Sequence, residues 1–306
     1  MPVSPTCRQA LDELGVSWTE DAPLHKRVWW RTGGPADALL EVHTTDQLSG
    51  ALAVATRFDL PTFVLGNGSN LLIRDGGIRG LVLVLRGELA DSVWHSDHCI
   101  LGGGLKIAVL LSRAAKRAWS GFHRLGGIPG TVGGAVRMNA GTHLGEISDL
   151  LEAVEIALPD GTTRWLPAEA LGLGYRTCVL PPGAVVARAR LSQDTMPYSE
   201  SRTLLQEHLD RRKATQPVNE RTCGSTFRNP PGDYAGRLIE AAGLKGHTIG
   251  GAMVSPKHAN FVVNTGTATA NDLETLIRHI QATVANTFSV QLEHEVHIVG
   301  DALDAR

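Results

Sequence analysis

The sequence is poor in the features that mark membrane proteins and nucleic-acid-binding proteins. Among 306 residues, Lys and Arg number 29 and Asp and Glu number 31, which gives a net charge of −2. Such a balance offers no basic surface for the phosphates of nucleic acid or anionic lipid. Hydrophobic runs such as residues 80–85 have the length of a strand, far below the ~20 residues of a membrane span. The sequence therefore predicts no nucleic acid and no membrane as partner.

Cysteine is also scarce. The four cysteines are widely spaced and form no C-x-x-C pair, which argues against a disulfide framework and against a thiolate zinc site. Near the start of the chain, Asp12 and Glu13 stand where a signal peptide would have its apolar core. We therefore expect a cytoplasmic protein whose thiols are reduced.

Glycine, by contrast, is abundant, with 34 residues. Two segments are dense in it, GNGSN at residues 66–70 and LGGIPGTVGGAVRMNAGTHLGE at residues 125–146. Glycine has no Cβ to block a close approach, so successive N–H groups of such turns can surround an anion. Each segment alone is more simply explained as a tight turn, but two of them favour a dinucleotide. Neither common nucleotide motif is present, since Leu71 replaces the third glycine of G-x-G-x-x-G and no glycine precedes Lys-Ser or Lys-Thr.

The twelve histidines raise the question of a metal site. His294 and His297 are three residues apart in a predicted strand, which directs them to opposite faces of that strand. His95 and His98 have the same spacing. Solvated or hydrogen-bonded histidines explain these positions better than metal ligands, so we predict no metal.

The hydrophobic periodicity predicts mixed helices and strands without internal repeats. Thr45 and Thr269 occupy the positions of helix N-caps, and the turn PDG joins two strands of a hairpin. The glycine-rich residues 125–146 are expected to form no regular helix. The predicted helices cover residues 8–14, 45–58, 105–119, 201–213, 234–242 and 269–284. The predicted strands cover residues 36–43, 62–65, 81–85, 98–101, 154–158, 162–166, 184–191 and 290–299, with two more near Ala252 and Phe261.

The last predicted strand, residues 290–299, carries two carboxylates on one face. Alternation places Glu293 and Glu295 together with His297, and places Leu292 and His294 on the opposite face. A solvated edge face would show the same pattern. Periodicity does not choose between the two glutamates.

Ser225 and Arg176 are further candidates whose roles the local sequence leaves open. No G-x-S-x-G motif surrounds Ser225, so it is a poor nucleophile, but charged neighbours could let it donate a proton. It could equally be a loop serine that caps a turn. Arg176 follows Tyr175 in a loop-like setting, where an arginine is usually a surface ion-pair partner.

Eight motifs, taken together and in this order, resemble those of the UDP-N-acetylenolpyruvoylglucosamine reductase family. The resemblance runs from about Arg31 to Gly300. It rests on RTGGPAD, LGNGSNLL, GGIPGTVGGAVRMNAG, GYR, CGSTFRNP, AGRLIEAAGLKG, IGGAMVSPKHANFVVN and LEHEVHIVG.

The resemblance implies an α+β fold with three domains. Residues 1–85, joined by residues 291–306, would form the first half of a two-subdomain FAD-binding fold of the vanillyl-alcohol-oxidase (PCMH) type, and residues 86–200 the second half. Residues 201–290 would form a C-terminal α+β substrate domain. These limits agree with the boundaries near residues 85 and 200 at which the sequence changes character.

The resemblance also implies an activity. NADPH would reduce a non-covalently bound FAD, through which the enolpyruvyl group of UDP-N-acetylglucosamine enolpyruvate is reduced to UDP-N-acetylmuramate for peptidoglycan synthesis. Arg176 and Glu295 would surround the substrate carboxylate, where negative charge develops, and Ser225 would protonate the adjacent carbon. The family pattern thus selects Glu295 over Glu293. A monomer acting on small molecules is expected.

The remaining site residues follow from the same motifs. The implied FAD contacts are Gly66, Asn67, Gly68, Ser69, Asn70, Leu71, Gly127, Ile128, Pro129, Gly130, Gly134, Asn139 and Gly141. The implied substrate contacts are Tyr175, Arg228 and Asn229.

Two departures from the family pattern affect these expectations. Cys178 stands where the family usually has serine, two residues after the catalytic arginine. No insertion between Gly174 and Ser225 is long enough for the mobile tyrosine loop of one branch. The chain therefore resembles the shorter, type II branch, in which another group would clamp the nucleotide.

Two other functions are compatible with parts of the sequence. One is an FAD-dependent oxidase, a class that often tethers FAD through a histidine near the diphosphate loop; here Ile78 follows the glycines of RDGGIRG. Ser225 and Glu295 would also have no purpose in an oxidase. The other is a sugar-nucleotide-binding protein without redox activity, which would be colourless when purified.

Overall fold

The computed structural model describes residues 3–303, in two compact units. Unit 1 consists of the residues up to Glu20, Asp37–Asn67 and Gly80–Asp210, and unit 2 consists of Asp21–Ala36, Gly68–Arg79 and the residues from Arg211 onward. Each unit is therefore assembled from three separate stretches of chain. The division into three domains stays a prediction, and its terminal residues 1–2 and 304–306 lie outside the described part.

The helices match the predicted positions within a few residues, with one addition. They are α1 Pro5–Glu13, α2 Thr45–Arg57, α3 Ile107–Ala115, α4 Val132–Arg137, α5 Tyr198–Thr215, α6 Ala235–Ala241 and α7 Ala270–Phe288. No helix between residues 3 and 303 is both long and apolar enough to cross a membrane.

The two predicted N-caps have different outcomes. Thr269 caps α7 as predicted, since its hydroxyl accepts from the Asp272 N–H at 3.0 Å and the Asp272 carboxylate accepts from the Thr269 N–H at 3.0 Å. Thr45 as the cap of α2 is wrong. The cap is Thr44, whose hydroxyl accepts from the Gln47 N–H at 3.1 Å, so the helix starts at Thr45 itself.

The expectation that residues 125–146 contain no regular helix is also wrong for α4. This six-residue helix begins after Thr131 and includes Gly133 and Gly134. Its Val132 and Val136 are fully buried in the hydrophobic core. Tertiary burial thus offsets the low helix propensity of glycine.

The strands are short, and most belong to one of three sheets. In chain order they are β1 Ser17–Pro23, β2 Pro35–Val42, β3 Thr62–Val64, β4 Leu71–Ile73, β5 Ile78–Leu85, β6 Ser92–Trp94, β7 His98–Gly102, β8 Gly141–Thr142, β9 Gly145–Glu146, β10 Leu151–Ala157, β11 Thr163–Pro167, β12 Val185–Ser192, β13 Thr248–Ile249, β14 Ala252–Val254, β15 Val262–Asn264 and β16 His297–Val299.

Unit 1 contains most of two sheets. The strand orders are β1-β2-β5-β3 and β11-β10-β12-β7-β6. The predicted hairpin is confirmed, because β10 pairs with β11 in antiparallel fashion from Ala157 opposite Thr163. One buried cluster joins α3 and α4 to β7, β10 and β12, and another joins α1 and α2 to β2 and β5.

Unit 2 has the sheet β13-β14-β15, and β16 pairs with β4 in parallel. Its core includes apolar residues of α6 and α7, together with Trp30 and Leu72 from earlier parts of the chain. The Trp30 indole N–H donates to the Val262 carbonyl at 2.9 Å, and Asn264 Nδ2 donates to the Trp30 carbonyl at 2.6 Å. Both hydrogen bonds fix Trp30 against β15.

The predicted strand over residues 290–299 is wrong in extent, since only His297–Val299 is a strand. The reason lies in its pairing partner. The N–H groups of Glu295 and Val296 both approach the carbonyl oxygen of Thr226, at 2.7 and 3.5 Å. Two residues therefore oppose one, as in a β-bulge, and a bulge interrupts the alternation of side chains.

Candidate active site

The two glycine segments touch each other within unit 1. Asn67 Nδ2 donates to the carbonyl oxygen of Pro129. A Cβ added at Gly66 would lie 2.8 Å from Thr131 Oγ1, closer than real Cβ atoms come to other heavy atoms. The segments that predict a dinucleotide site from sequence are thus neighbours in space, and glycine is what allows them to approach.

The residues of this junction fit FAD. Gly127 has a φ of +71°, a left-handed conformation that glycine adopts without strain. A Cβ added at Gly133 would come within 3.0 Å of the Gly103 carbonyl oxygen. Glycine at these positions lets the backbone segments approach one another closely, and glycine-rich turns of this kind suit the oxygens of a diphosphate.

The second part of the GNGSN loop belongs to unit 2. Gly68 has a φ of +61°, and an added Cβ would meet the Arg27 carbonyl oxygen at 2.2 Å. Asn70 Nδ2 donates to the carbonyl oxygen of Glu295 at 3.1 Å, and the His297 N–H donates to the Asn70 carbonyl at 3.1 Å. The end of the predicted FAD loop is thereby fixed to the segment that carries Glu295.

Ser225 lies beside that same segment. Its neighbour Thr226 accepts the Glu295 N–H at 2.7 Å, and Phe227 forms a β-bridge with His294. The side chain of Asn260 brackets Phe227, since Oδ1 accepts the Phe227 N–H at 2.9 Å and Nδ2 donates to the Phe227 carbonyl at 2.8 Å. Two of the three predicted catalytic residues are therefore on adjacent backbones of unit 2.

The bulge makes the two glutamates inequivalent. Leu292 and Val296 are buried, but His294, which alternation placed with them, is exposed. The Glu293 side chain is 79% exposed and lies 3.9 Å from an Arg228 amino group, whereas Glu295 is only partly exposed. The less exposed carboxylate is the one that the family pattern selects.

Arg228 and Asn229, the predicted substrate contacts, follow directly. The Arg228 N–H donates to the Glu293 carbonyl at 2.9 Å, which continues the backbone pairing. Asn229 Oδ1 accepts the Ala235 N–H at 3.1 Å, next to the start of α6. The side-chain amide oxygen of Asn229 thus already has a hydrogen-bond donor within the protein, at the first residue of α6.

Arg176 lies in unit 1, next to the end of the second glycine segment. It is a non-glycine residue in the left-handed region, with a φ of +55°. Its Nη2 donates to the Gly141 carbonyl at 3.1 Å, and its Nη1 lies 3.7 Å from Oε1 of Glu146. The guanidinium carbon stands 5.1 Å from the centroid of the Tyr175 ring, which is itself half exposed.

Asn139, predicted as an FAD contact, ties this cluster together. It is 1% exposed and has a φ of +40°. Its Nδ2 donates to Glu146 Oε2 at 2.6 Å and to the Gly174 carbonyl at 3.0 Å. Its Oδ1 accepts the Ser148 N–H at 3.2 Å. The residue therefore connects the second glycine segment to the loop that precedes Arg176.

Cys178 is buried, with 5% of its surface exposed, and belongs to the core cluster of α3, α4 and β12. Burial raises the pKa of its thiol, and the charge of Arg137 opposes that shift. Arg137 Nη1 donates to the Cys178 carbonyl rather than to its sulfur, at 2.7 Å. The thiol is therefore neutral at ordinary pH and poorly reactive.

We expect Cys178→Ser to leave the turnover number within about threefold of the original. The thiol is a small core side chain, and the family usually carries a serine here. A buried hydroxyl costs about 1–3 kcal/mol unless it finds a hydrogen-bond partner, so thermal unfolding should be followed beside steady-state kinetics. A loss of activity above about tenfold in a fully folded variant would show that the thiol has a role of its own.

Sequence reasoning missed two residues of these clusters, Glu146 and Asn260. Glu146 ends the glycine-rich residues 125–146, and Asn260 lies inside the motif IGGAMVSPKHANFVVN; both are polar residues near glycines and apolar side chains. That contrast was the available signal. Their partners are far away in sequence, Arg176 for Glu146 and Phe227 for Asn260, so the local pattern did not identify their contacts.

Metal ligation finds no support from residues 3–303, among which no group of three or more His, Cys, Asp or Glu side chains could hold a metal ion. His95 and His98 stack their rings at 4.4 Å between centroids. The absence of a metal stays a prediction.

Comparison with known proteins first gives the class. The profile of an FAD-binding domain matches residues 36–167, which include Gly66, Asn67 and the whole second glycine segment. The chain thus belongs to the class of FAD-binding flavoproteins. The profile of the UDP-N-acetylenolpyruvoylglucosamine reductase C-terminal domain matches residues 216–299, which carry Ser225 and Glu295.

Full-length relatives agree with both profiles. The UDP-N-acetylenolpyruvoylglucosamine reductase of Anaeromyxobacter sp. (strain K) is 48% identical over 93% of this chain and 86% of its own length. The reductase of Methylococcus capsulatus is 44% identical over 94% of both chains. The chain belongs to the UDP-N-acetylenolpyruvoylglucosamine reductase family.

A solved relative supports the fold. The crystal structure of the Thermus caldophilus reductase superposes with a TM-score of 0.81, at 40% identity, over 93% of this chain and 99% of that one. The predicted resemblance and the α+β fold with an FAD-binding part are confirmed. The roles of single residues and the assignment to the shorter branch stay predictions.

Proposed function

We propose that the protein reduces the enolpyruvyl group of UDP-N-acetylglucosamine enolpyruvate to give UDP-N-acetylmuramate, with FAD as cofactor and NADPH as hydride donor. The observation that carries this proposal is family membership over nearly the whole chain. It is supported by the backbone pairing of the Ser225 segment with the Glu295 segment. The product is a precursor of peptidoglycan, so we also assign the protein to cell-wall synthesis, cell shape and cell division.

FAD, when bound, passes a hydride from NADPH to the enolpyruvyl group. The residues that would hold it are Gly66–Leu71, Gly127–Gly130 and Gly134. Asn139 and Gly141 complete the set. Glycine-rich turns are well suited to this task, because the missing Cβ would let a diphosphate approach the backbone closely.

Arg176 would bind the substrate carboxylate. As a hydride reaches the terminal methylene carbon, negative charge spreads from the neighbouring carbon into that carboxylate. A fixed guanidinium stabilises this developing charge more than the neutral double bond, which lowers the barrier. Its side chain is 17% exposed, so the charge acts in a partly dehydrated setting.

Ser225 and Glu295 would act at the carbon that bears the substrate carboxylate and at the carboxylate itself. Addition of a hydride to one carbon of a double bond must be balanced by a proton on the other. The Ser225 hydroxyl would supply that proton, and the carboxyl group of Glu295, in its protonated form, would donate a hydrogen bond to the carboxylate beside it. Tyr175, Arg228 and Asn229 would hold the sugar nucleotide.

The decisive test is turnover of the purified enolpyruvyl sugar nucleotide by the purified protein. We expect a yellow protein whose flavin absorbance is bleached by NADPH without oxygen and restored by that substrate. A yellow protein that oxygen alone restores would indicate an oxidase, and a colourless one would indicate a binding protein. We also propose that it acts as a monomer in the cytoplasm, where NADPH and nucleotide sugars are made.

FAD should be held without a covalent bond. Neither glycine segment carries a cysteine, and residues 66–70 carry no histidine. We therefore expect acid precipitation to leave all of the yellow colour in the supernatant. Flavin that stays in the washed pellet would contradict this and would favour the oxidase.

A further inference from the structure

We propose that Glu146 is a positioning residue that aims the guanidinium of Arg176 at the substrate carboxylate. The inference rests on the proposed function of Arg176. Glu146 Oε1 lies 3.7 Å from Arg176 Nη1, while the other guanidinium nitrogen, Nη2, donates to the Gly141 carbonyl. Arg176 is thus held from two sides by the same short stretch of chain, residues 141–146.

The Glu146 carboxylate is itself immobilised. Oε2 accepts from Asn139 Nδ2 at 2.6 Å, and the side chain also accepts from the backbone N–H of Asp149 in a capping box. The Glu146 N–H donates back to Asp149 Oδ2 at 3.0 Å. A carboxylate held by these hydrogen bonds provides a defined anchor for a neighbouring cation.

Glycine at position 141 makes this arrangement possible. A Cβ added there would lie 2.4 Å from the Gly145 carbonyl oxygen and 2.7 Å from the Glu146 Cα. The β8–β9 pair therefore closes tightly enough to bring the Gly141 carbonyl and the Glu146 carboxylate to the same guanidinium. Gly141, proposed for FAD, would thereby also serve Arg176.

Positioning matters because an arginine side chain is long and has many rotamers. A guanidinium has five N–H groups in a rigid fork, enough for Glu146 and for a substrate carboxylate at once. Glu146 would fix the plane of that fork before substrate arrives. The gain should appear when negative charge grows on the substrate, and less in ground-state binding.

The rival explanation is that Glu146 only stabilises the turn at residues 147–149. Both explanations predict damage from a deletion, so the test uses Glu146→Gln, which keeps the shape and loses the charge. FAD content and Tm of the holoenzyme are measured beside the two half-reactions, followed separately by anaerobic stopped-flow. A turn-stabilising residue would affect FAD content, Tm and both half-reactions together.

We expect Glu146→Gln to slow reoxidation of the reduced enzyme by the enolpyruvyl sugar nucleotide by about 10- to 100-fold, with a change below threefold in the apparent Kd of that substrate. Reduction by NADPH, FAD content and Tm should stay close to the original. Glu152→Gln is the matched control, because Glu152 forms an ion pair with Arg190 at 2.7 Å in the same unit. It should leave both half-reactions unchanged.

A double-mutant cycle separates this inference from the proposed function. In an Arg176→Ala background, Glu146→Gln should slow reoxidation by less than a further twofold, because Glu146 acts through Arg176. Normal reoxidation in Arg176→Ala would refute the role of Arg176 itself. If Arg176→Ala slows reoxidation, two results would refute the positioning role. One is that the rate losses of the two single variants multiply in the double variant, and the other is that Glu146→Gln alone has no effect. Loss of FAD or of Tm in Glu146→Gln would refute it as well.

Discussion

Ser225→Ala is expected to slow reoxidation of the reduced enzyme by the enolpyruvyl sugar nucleotide by about 10²- to 10⁴-fold, the usual effect of removing a general acid. Bleaching of the flavin by NADPH should change little, because a hydride transfer to the flavin needs no proton from this hydroxyl. The two residues that follow Ser225, Thr226 and Phe227, make hydrogen bonds that hold this loop, to Glu295 and to Asn260. The substitution should therefore leave the loop in place.

Anaerobic stopped-flow on each half-reaction measures this separation. Ser225→Cys is an informative second variant, since a thiol can also donate a proton and should restore part of the lost rate. If alanine slowed reduction and reoxidation equally, the hydroxyl would be a structural group of the TCGSTFRNP loop and the acid role would be wrong.

Glu295→Ala is expected to have the second large effect, a loss of about 10²- to 10³-fold in reoxidation, as for removal of one hydrogen-bond donor to a developing negative charge. The backbone of Glu295 bonds to Thr226 and to Asn70, and both contacts survive a change of side chain. Stability should therefore fall little.

Glu293→Ala is the matched control two residues away. Its carboxylate is largely exposed and stands 3.9 Å from Arg228, a distance and exposure at which ion pairs contribute little. Reoxidation in this variant should stay within about threefold of the original rate, with any effect confined to substrate affinity. A larger loss from Glu293→Ala than from Glu295→Ala would reverse the assignment.

The contrast between these glutamates also shows where sequence reasoning ended. A capping box at Thr269 and a hairpin turn at Asp160–Gly161 are local signals, and the structure confirms the helix and the hairpin that they predict. The bulge opposite Thr226 depends on residues about seventy positions earlier, so alternation along residues 290–299 was a poor guide. Glu293 and Glu295 differ in exposure because of the backbone pairing with Thr226, and the local sequence pattern does not predict that pairing.

The candidate site was predictable to a similar degree. Glycine density predicted two cooperating segments, and the structure brings them into contact; the physical requirement, absence of a Cβ, is visible in the residue type itself. The significance of Arg176 and Ser225 came only from resemblance, since each has an ordinary explanation in its own loop. The anchors Glu146 and Asn260 were missed because their contacts to Arg176 and to Phe227 span 30 and 33 residues of sequence.

The three-part construction of unit 2 has a consequence for any attempt to dissect the protein. A fragment from residue 211 onward contains the whole segment matched by the C-terminal profile, yet it lacks Trp30 and Leu72. It would expose the apolar surface on which the indole packs and leave Asn264 without its hydrogen bond to Trp30. A gene truncated at this apparent boundary would encode an incomplete interior, so unit 2 needs the earlier segments of the chain to complete its core.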